Sequence, residues 1–130
     1  MVATPVRGRG SPEAEGEAAM EIEERSEGTA VVVSLNGRLD GVTGPDLEAR
    51  IGAIVERGDV RVVLDCGQMD YVSSAGLRVL LISARKCQQG GGKLAIAALL
   101  PECRSVMEMS GFLSIIECHE TNEAALAAVA

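Results

Sequence analysis

The chain's 130 residues suffice for one hydrophobic core and are too few for two domains of ordinary size. Its net charge of −7, with no run of Lys or Arg, argues against a large contact with nucleic-acid phosphates, which requires a concentrated basic surface. With one Phe, one Tyr and no Trp, the core has to be built from Val, Leu, Ile, Ala and Met.

Residues 1–19 contain few large apolar side chains and no continuous apolar stretch. Such a segment cannot bury enough surface to offset its ordering entropy, so we expect a disordered tail, followed by one domain over residues 20–130. The segment also lacks the apolar stretch of a signal peptide, and the apolar runs elsewhere are of strand length. We therefore expect a cytoplasmic protein that does not insert into a membrane.

The domain is predicted to begin with two paired strands and a helix. Polar and apolar residues alternate over Met20–Arg25, and a β-branched run over residues 29–37 ends at the turn signal Asn36-Gly37. Thr43 is placed to cap the next helix. That helix carries one apolar stripe, made of Leu47, Ile51, Ile54 and Val55.

Strand and helix patterns then alternate to the end of the chain. The nearly continuous apolar run of residues 60–67 predicts a buried strand, and the helix after it carries Leu77, Leu80, Leu81 and Ala84 on one side. Strands are also predicted over residues 94–100 and 115–119, and helices from Pro101 to Gly111 and over residues 121–130. The order β-β-α-β-α-β-α-β-α predicts one layered α/β domain, with a mixed, mostly parallel sheet of about five strands and about four helices.

Four cysteines are spread along the chain without any C-x-x-C pair: Cys66, Cys87, Cys103 and Cys118. Zinc sites usually bring their ligands in close pairs, so this spacing predicts small apolar residues in a reducing compartment rather than metal ligands. We expect no metal, nucleotide or organic cofactor.

The segment VVLDCGQMDYVSSAGLRVLL, residues 62–81, joins a predicted strand to a predicted helix and places Ser73 and Ser74 where the helix begins. Functional residues of an open α/β sheet usually lie at this edge. A serine at a helix start can also simply cap the helix, because its side-chain oxygen accepts a hydrogen bond from an otherwise unpaired N–H, worth about 1 kcal/mol. From the residues alone, capping is the commoner explanation.

Together with GRLDG at residues 37–41, this segment resembles the STAS domain family, which includes the bacterial anti-sigma factor antagonists and the cytoplasmic tails of sulfate transporters. The family's hallmark is a strand ending in Leu-Asp, a short apolar loop, Asp-Ser-Ser or Asp-Ser-Thr, and then Gly-Leu opening a helix. The resemblance covers nearly everything from Met20 to the C-terminus and implies the STAS fold.

In the antagonists of this family, an anti-sigma factor that is itself a serine kinase phosphorylates a serine of the motif. The unphosphorylated antagonist binds the kinase and releases the sigma factor, and a PP2C-type phosphatase resets the system. The resemblance therefore implies a binding protein rather than an enzyme, present as a monomer or weak dimer. Aligned on Gly76-Leu77, Ser74 occupies the first hydroxyl position and is the first choice for phosphorylation, Ser73 is the second choice, and Ala75 occupies the second hydroxyl position.

The resemblance also implies a partner-binding surface around the motif and the GRLDG turn, made of Asp40, Ser73, Ser74, Gly76, Leu77 and Arg78. Arg78 and Arg85, on the predicted solvent side of the helix, are suited to an acidic partner. The alternative that the sequence leaves open is a STAS subunit of a transporter or signalling complex, acting as a constitutive protein-binding module.

Two other classes of protein fit less well. Val72-x-Ser74-x-Gly76 is half of the nucleophile elbow of hydrolases, but the first Gly is absent and the only histidine, His119, falls on a terminal strand. Asp65, at a predicted strand end, is placed like the phosphate acceptor of a receiver domain. The acidic cluster after the first strand and the late lysine of such a domain are both missing.

Overall fold

A computed structural model describes residues 20–130, and the tail predicted for residues 1–19 lies outside this part. The strands, β1 to β5, span Met20–Glu27, Ala30–Leu39, Arg61–Val72, Lys93–Ala97 and Cys118–His119. The helices of the described part, α1 to α4, span Gly44–Glu56, Ser74–Gln89, Pro101–Met109 and Asn122–Val129, with a 3-10 turn over Phe112–Ser114. The predicted order of strands and helices is confirmed.

The strands form one mixed sheet in the order β1-β2-β3-β4-β5. The hairpin partners β1 and β2 are antiparallel, whereas β2, β3, β4 and β5 run parallel to one another. Parallel neighbours need a crossover connection, which α1, α2 and α3 supply. Because β2 and β3 end at the same edge of the sheet, the β2–α1 and β3–α2 connections are brought side by side.

The main core lies between one face of the sheet and the helices α1, α2 and α3. The predicted stripe of α1 is confirmed, with Leu47, Ile51 and Ile54 fully buried and Val55 half-buried. On α2, Leu80 and Ala84 are buried, and Leu77 and Leu81 pack against the same core while remaining half-buried. Each fully buried aliphatic side chain contributes about 1.5–3 kcal/mol, so these positions anchor both helices to the sheet.

The opposite face of the sheet is only partly covered. The last helix, α4, packs on it with Ala125 and Val129 against small side chains of the central strands, including Val63 and Ala97. Over β1 and β2 that face stays polar. Its side chains there include Glu21, Glu23, Ser34 and Asn36.

The second strand is longer than predicted. Asn36 and Gly37 do not end it, because both pair with β1 on one side and with β3 on the other. Gly37 has φ 125°, and the pairing with β3 shifts register on either side of it, which indicates a bulge rather than a turn. The strand therefore continues to Leu39.

The third strand is also longer than predicted and does not end near Asp65. Its pairing with β2 continues from Asn36↔Gln68 to Leu39↔Val72, so the predicted connection after residue 67 is mostly strand. Met69 and Val72 are buried in the core, whereas Gln68 and Tyr71 are exposed. This extension carries the chain directly into the start of α2.

Two later strands are shorter than predicted. The fourth ends at Ala97 rather than residue 100, because Ala98 has φ 63° and leaves the extended conformation. The fifth contains only Cys118 and His119, since the residues before it form the 3-10 turn and a bend. These two residues pair in register with β4, and the carbonyl oxygen of the preceding Glu117 accepts from the Ile96 N–H at 2.9 Å.

Candidate functional site at the start of the second helix

Two connections and the start of α2 meet at the edge where β2 and β3 end. The backbone N–H of Ser73 donates to the carbonyl oxygen of Leu39 at 3.0 Å, which ties the two strand ends together. A Cβ built on Gly41 would lie 3.7 Å from the Cβ of Ala75, so the β2–α1 loop contacts the first turn of α2. The sequence motif and the end of the GRLDG segment, which is the last part of β2 and the start of the β2–α1 loop, thus lie together at this edge.

The two serines of the motif have different surroundings. Ser73 is the N-cap of α2: its backbone is extended, with φ −95° and ψ 175°, and its Oγ accepts a hydrogen bond from the N–H of Gly76 at 3.1 Å. Ser74 is the first residue of the helix and is exposed. The capping role considered from the sequence thus belongs to Ser73, and Ser74 presents its hydroxyl at the helix start.

Asp40 organises the β2–α1 loop from within. Its Oδ1 accepts hydrogen bonds from the N–H groups of Val42 at 2.9 Å and Thr43 at 3.1 Å. The hydrogen bond from the Thr43 backbone is the largest influence that lowers the pKa of Asp40, and the Val42 bond and the nearby Arg38 act in the same direction. The carboxylate side chain is only 17% exposed, so most of it serves the loop.

Thr43 occupies the N-cap position of α1 but does not cap it, contrary to the prediction. Its hydroxyl instead donates to the carbonyl oxygen of Arg38 at 2.6 Å and accepts from the N–H of Asp40 at 3.0 Å. The buried Thr43 side chain therefore joins the end of β2 to the start of α1. The hydroxyl of Thr43 therefore stabilises the β2–α1 loop and does not stabilise the first turn of α1.

Gly76 lies beneath the surface rather than on it, because it is buried against the end of β2. A Cβ at this position would be 2.5 Å from the carbonyl oxygen of Leu39, closer than any side-chain atom can approach. Its role is to let α2 pack directly on the strand end. Of the two following residues of the predicted surface, Leu77 is half-buried against the core and Arg78 is exposed.

Three exposed side chains at this edge were not singled out from the sequence. Val42 in the β2–α1 loop is 71% exposed, and Tyr71 near the end of β3 is 41% exposed. The guanidinium carbon of Arg38 lies 4.1 Å from the centroid of the Tyr71 ring, and its Nε is 3.6 Å from Asp40 Oδ2. Strand alternation would have placed Tyr71 on the buried side with Met69, and it is the shift in register between Gly37↔Met69 and Arg38↔Tyr71 that exposes the ring, so no sequence pattern pointed to it.

The residues considered for other kinds of chemistry lie elsewhere. The imidazole of His119 contacts Glu117 at 3.1 Å and belongs to β5, two strands away from β3 in the sheet. Asp65 lies within β3, where its carboxylate accepts from the Gly67 N–H and the Asn122 amide, both at 3.0 Å. Neither arrangement resembles a nucleophile with its base or an exposed phosphate acceptor.

The cysteines are free thiols packed in or against the core. Burial raises the pKa of Cys66, Cys103 and Cys118, and it raises the pKa of Cys87 to about 11. Thiols of this kind remain protonated at neutral pH and are poor nucleophiles and metal ligands. Within residues 20–130 no three His, Cys, Asp or Glu side chains are grouped so that they could hold a metal ion.

No helix between residues 20 and 130 combines the length and the apolar character needed to cross a membrane. In comparisons with known proteins, residues 20–125 match the STAS domain family. Over 98 residues the chain is 45% identical to BtrV of Bordetella bronchiseptica, a protein provisionally named as an anti-sigma factor antagonist, with 75% of this chain and 84% of BtrV covered.

Two further proteins show the same likeness. Over 108 residues the chain is 25% identical to an anti-sigma F factor antagonist of Paenibacillus polymyxa, with 82% of this chain and 92% of that protein covered. The crystal structure of an anti-sigma factor antagonist from Mycobacterium paratuberculosis is similar with a TM-score of 0.77 at 27% identity, covering 85% of this chain and 94% of that one. Since the family match spans most of the chain and the fold agrees with it, this protein belongs to the STAS domain family.

Proposed function

We propose that this protein is an anti-sigma factor antagonist, which binds an anti-sigma factor with serine kinase activity and is released when that kinase phosphorylates Ser74. In this role it catalyses no reaction of its own and acts in the cytoplasm, where sigma factors meet RNA polymerase. Membership of the STAS domain family and the 45% identity to BtrV support the proposal.

The observation that carries the choice of residue is the different surroundings of the two serines. The Ser73 Oγ is partly buried and already accepts from the Gly76 N–H as the cap of α2, so a kinase would have to disturb the helix start to reach it. A phosphate on the exposed Ser74 leaves that cap in place. Ser74 is therefore the phosphorylated residue in our proposal, with Ser73 as the residue that holds the helix start.

The start of α2 also suits a phosphate electrostatically. Unpaired N–H groups and the helix dipole favour negative charge there, so the modified domain has no reason to unfold. A phosphoserine adds about −1.5 to −2 charges to the surface that faces the partner. One like-charge contact at about 5 Å costs roughly 3 kcal/mol at an effective dielectric constant of 20, which is about a hundredfold in affinity.

Phosphorylation can be tested with purified components. The protein is incubated with the anti-sigma kinases of the source genome, purified one at a time, and ATP, and is then examined by intact-mass and tandem mass spectrometry. We expect an adduct of about 80 Da on Ser74, lost in Ser74→Ala and retained in Ser73→Ala, and removed by a PP2C-type phosphatase.

Binding is measured in parallel by calorimetry, with the phosphorylated and unphosphorylated proteins. The proposal requires that phosphorylation weaken binding by about a hundredfold. Unchanged binding by the Ser73→Ala, Ser74→Ala double variant, with no adduct under any condition, would rule out the phosphorylation switch and leave a constitutive binding module.

A further inference from the structure

Resting on the antagonist role proposed above, we infer that the partner docks on four side chains at the same edge of the sheet as Ser74, and that it presents there an apolar side chain flanked by carboxylates. We call these four side chains the docking patch; they are Arg38, Val42, Tyr71 and Arg78. The inference names the residues that supply affinity and the chemistry of the partner surface that fits them.

The apolar part of the patch is Val42 and Tyr71. Single exposed apolar side chains are common and carry little information. These two, however, lie at the same edge of the sheet, Val42 in the loop after β2 and Tyr71 near the end of β3, three residues before the exposed Ser74. Tyrosine is among the residues that most often dominate the binding energy of interfaces, because it buries a large area at low entropic cost.

Both side chains are held in place before any partner binds. The N–H of Val42 donates to the Asp40 carboxylate at 2.9 Å, which fixes the loop that presents the Val42 side chain. Tyr71 is fixed by strand pairing with Arg38, whose guanidinium group stacks on its ring. A pre-ordered patch avoids part of the entropy cost of association, so a small contact of this kind can be strong.

The charge of the patch differs from that of the whole protein. The chain carries a net charge of −7, yet Arg38 and Arg78 are both exposed at this edge. Asp40, the carboxylate beside Arg38, is largely occupied by the loop N–H groups, and two exposed carboxylates, Asp46 and Asp70, also lie at this edge. Within the patch itself the two charged side chains are both cationic and accompany an apolar pair, so carboxylates of the partner are the complementary groups.

This arrangement also connects the patch to the switch. Ser74 and Arg78 are one helical turn apart at i and i+4, where side chains of a helix are neighbours. A phosphate on Ser74 would neutralise Arg78 and repel the partner's carboxylates at once. Unphosphorylated, the patch leaves Arg78 available to those carboxylates.

Calorimetric titration with the purified anti-sigma kinase, in the absence of ATP, tests the inference. Tyr71→Ala and Val42→Ser should each weaken binding, Tyr71→Ala by at least about tenfold. Arg78→Gln should also weaken it and should reduce the dependence of the affinity on salt. Met109→Ser and Arg61→Gln are the matched controls, since they change an exposed apolar residue and an exposed arginine outside the patch and should leave binding unchanged.

The possible results separate the two proposals. If all three patch variants bind the kinase with the affinity of the wild type, the docking patch is wrong and the antagonist role still stands. No binding of any purified anti-sigma kinase by the wild type overturns both. Circular dichroism and thermal unfolding of each variant confirm that it is folded, and the salt dependence of Arg78→Gln gives a second readout that partial loss of stability would not mimic.

Discussion

Asp40 organises the β2–α1 loop through hydrogen bonds within the loop. Its Oδ1 accepts from the N–H groups of Val42 and Thr43, and its Oδ2 lies near Arg38. The sequence-based expectation placed Asp40 on the partner surface. Its low exposure supports a different contribution in our proposal, in which Asp40 positions Val42 and Arg38 for the partner.

Replacing Asp40 with Ala should cost about 1 kcal/mol of unfolding free energy at pH 7, the usual loss for a residue that satisfies backbone N–H groups. The pKa of Asp40 is lowered in the folded state, so its contribution is present above the unfolded pKa of about 3.9 and is lost as the pH falls through the folded pKa. Urea unfolding of the wild type and of Asp40→Ala, from pH 7 to pH 2, measures the difference between their free energies of unfolding. The contributions of the other carboxylates are the same in both proteins and cancel in this difference. A difference that stays constant over this range would show that the charge of Asp40 is not what stabilises the loop.

Sequence reasoning placed Ser73 and Ser74 correctly at the helix start, because the switch from a β-branched run to a helical stripe is a strong signal. It could not decide which serine caps the helix, since both positions are compatible with an N-cap one residue apart. The extended backbone of Ser73 and its hydrogen bond to Gly76 decide it. Such a distinction depends on the tertiary contact with Leu39, which no local pattern encodes.

At the scale of elements, the main difference from the sequence-based prediction is the length of β3. The polar residues Gln68 and Asp70 suggested a loop, but extended pairing with β2 keeps them in a strand whose outer side chains are exposed. The sheet face there is not covered by α4, so polar residues are tolerated. The order of elements was predictable from periodicity, whereas strand ends were set by pairing with neighbours.

The packing of α2 on the end of β2 leads to a prediction about two glycines in helices. Gly76→Ala should destabilise the protein by about 1–3 kcal/mol, because a Cβ would lie 2.5 Å from the Leu39 carbonyl oxygen and α2 would have to shift. Gly52→Ala in α1 is the matched control. Its Cβ would meet only the flexible end of Lys86 at 3.4 Å, so the better helix propensity of Ala should stabilise by about 0.5–1 kcal/mol.

Chemical denaturation of the two variants gives the comparison directly. Equal effects of both substitutions would mean that α2 moves away from β2 at little cost, and that the close approach at Gly76 does not hold the site together. If Gly76→Ala destabilises the protein and Gly52→Ala stabilises it, Gly76 is required for the packing of α2 on β2. This requirement is independent of any contact between Gly76 and a partner.

At the scale of the whole molecule, the site lies at one edge of a sheet whose faces are packed elsewhere. The helices α1 to α3 bury one face and α4 part of the other, while the exposed Ser74 carries none of this packing. A charge added at Ser74 therefore acts on whatever faces that edge and leaves the core unchanged. This separation would allow the phosphorylation switch proposed above to work through the surface alone.

Phosphoserine installed at position 74 should accordingly leave the fold intact. The melting temperature should be unchanged or raised by a few degrees, because a negative charge in the first turn of a helix is favourable by about 0.3–1 kcal/mol. Amide chemical shifts should change only near the start of α2 and the β2–α1 loop. Ser73→Ala is the control, and it should lower stability by about 1 kcal/mol because it removes the Oγ that caps α2. If phosphoserine 74 instead changes amide chemical shifts across the whole sheet, the switch works through a conformational change of the whole domain.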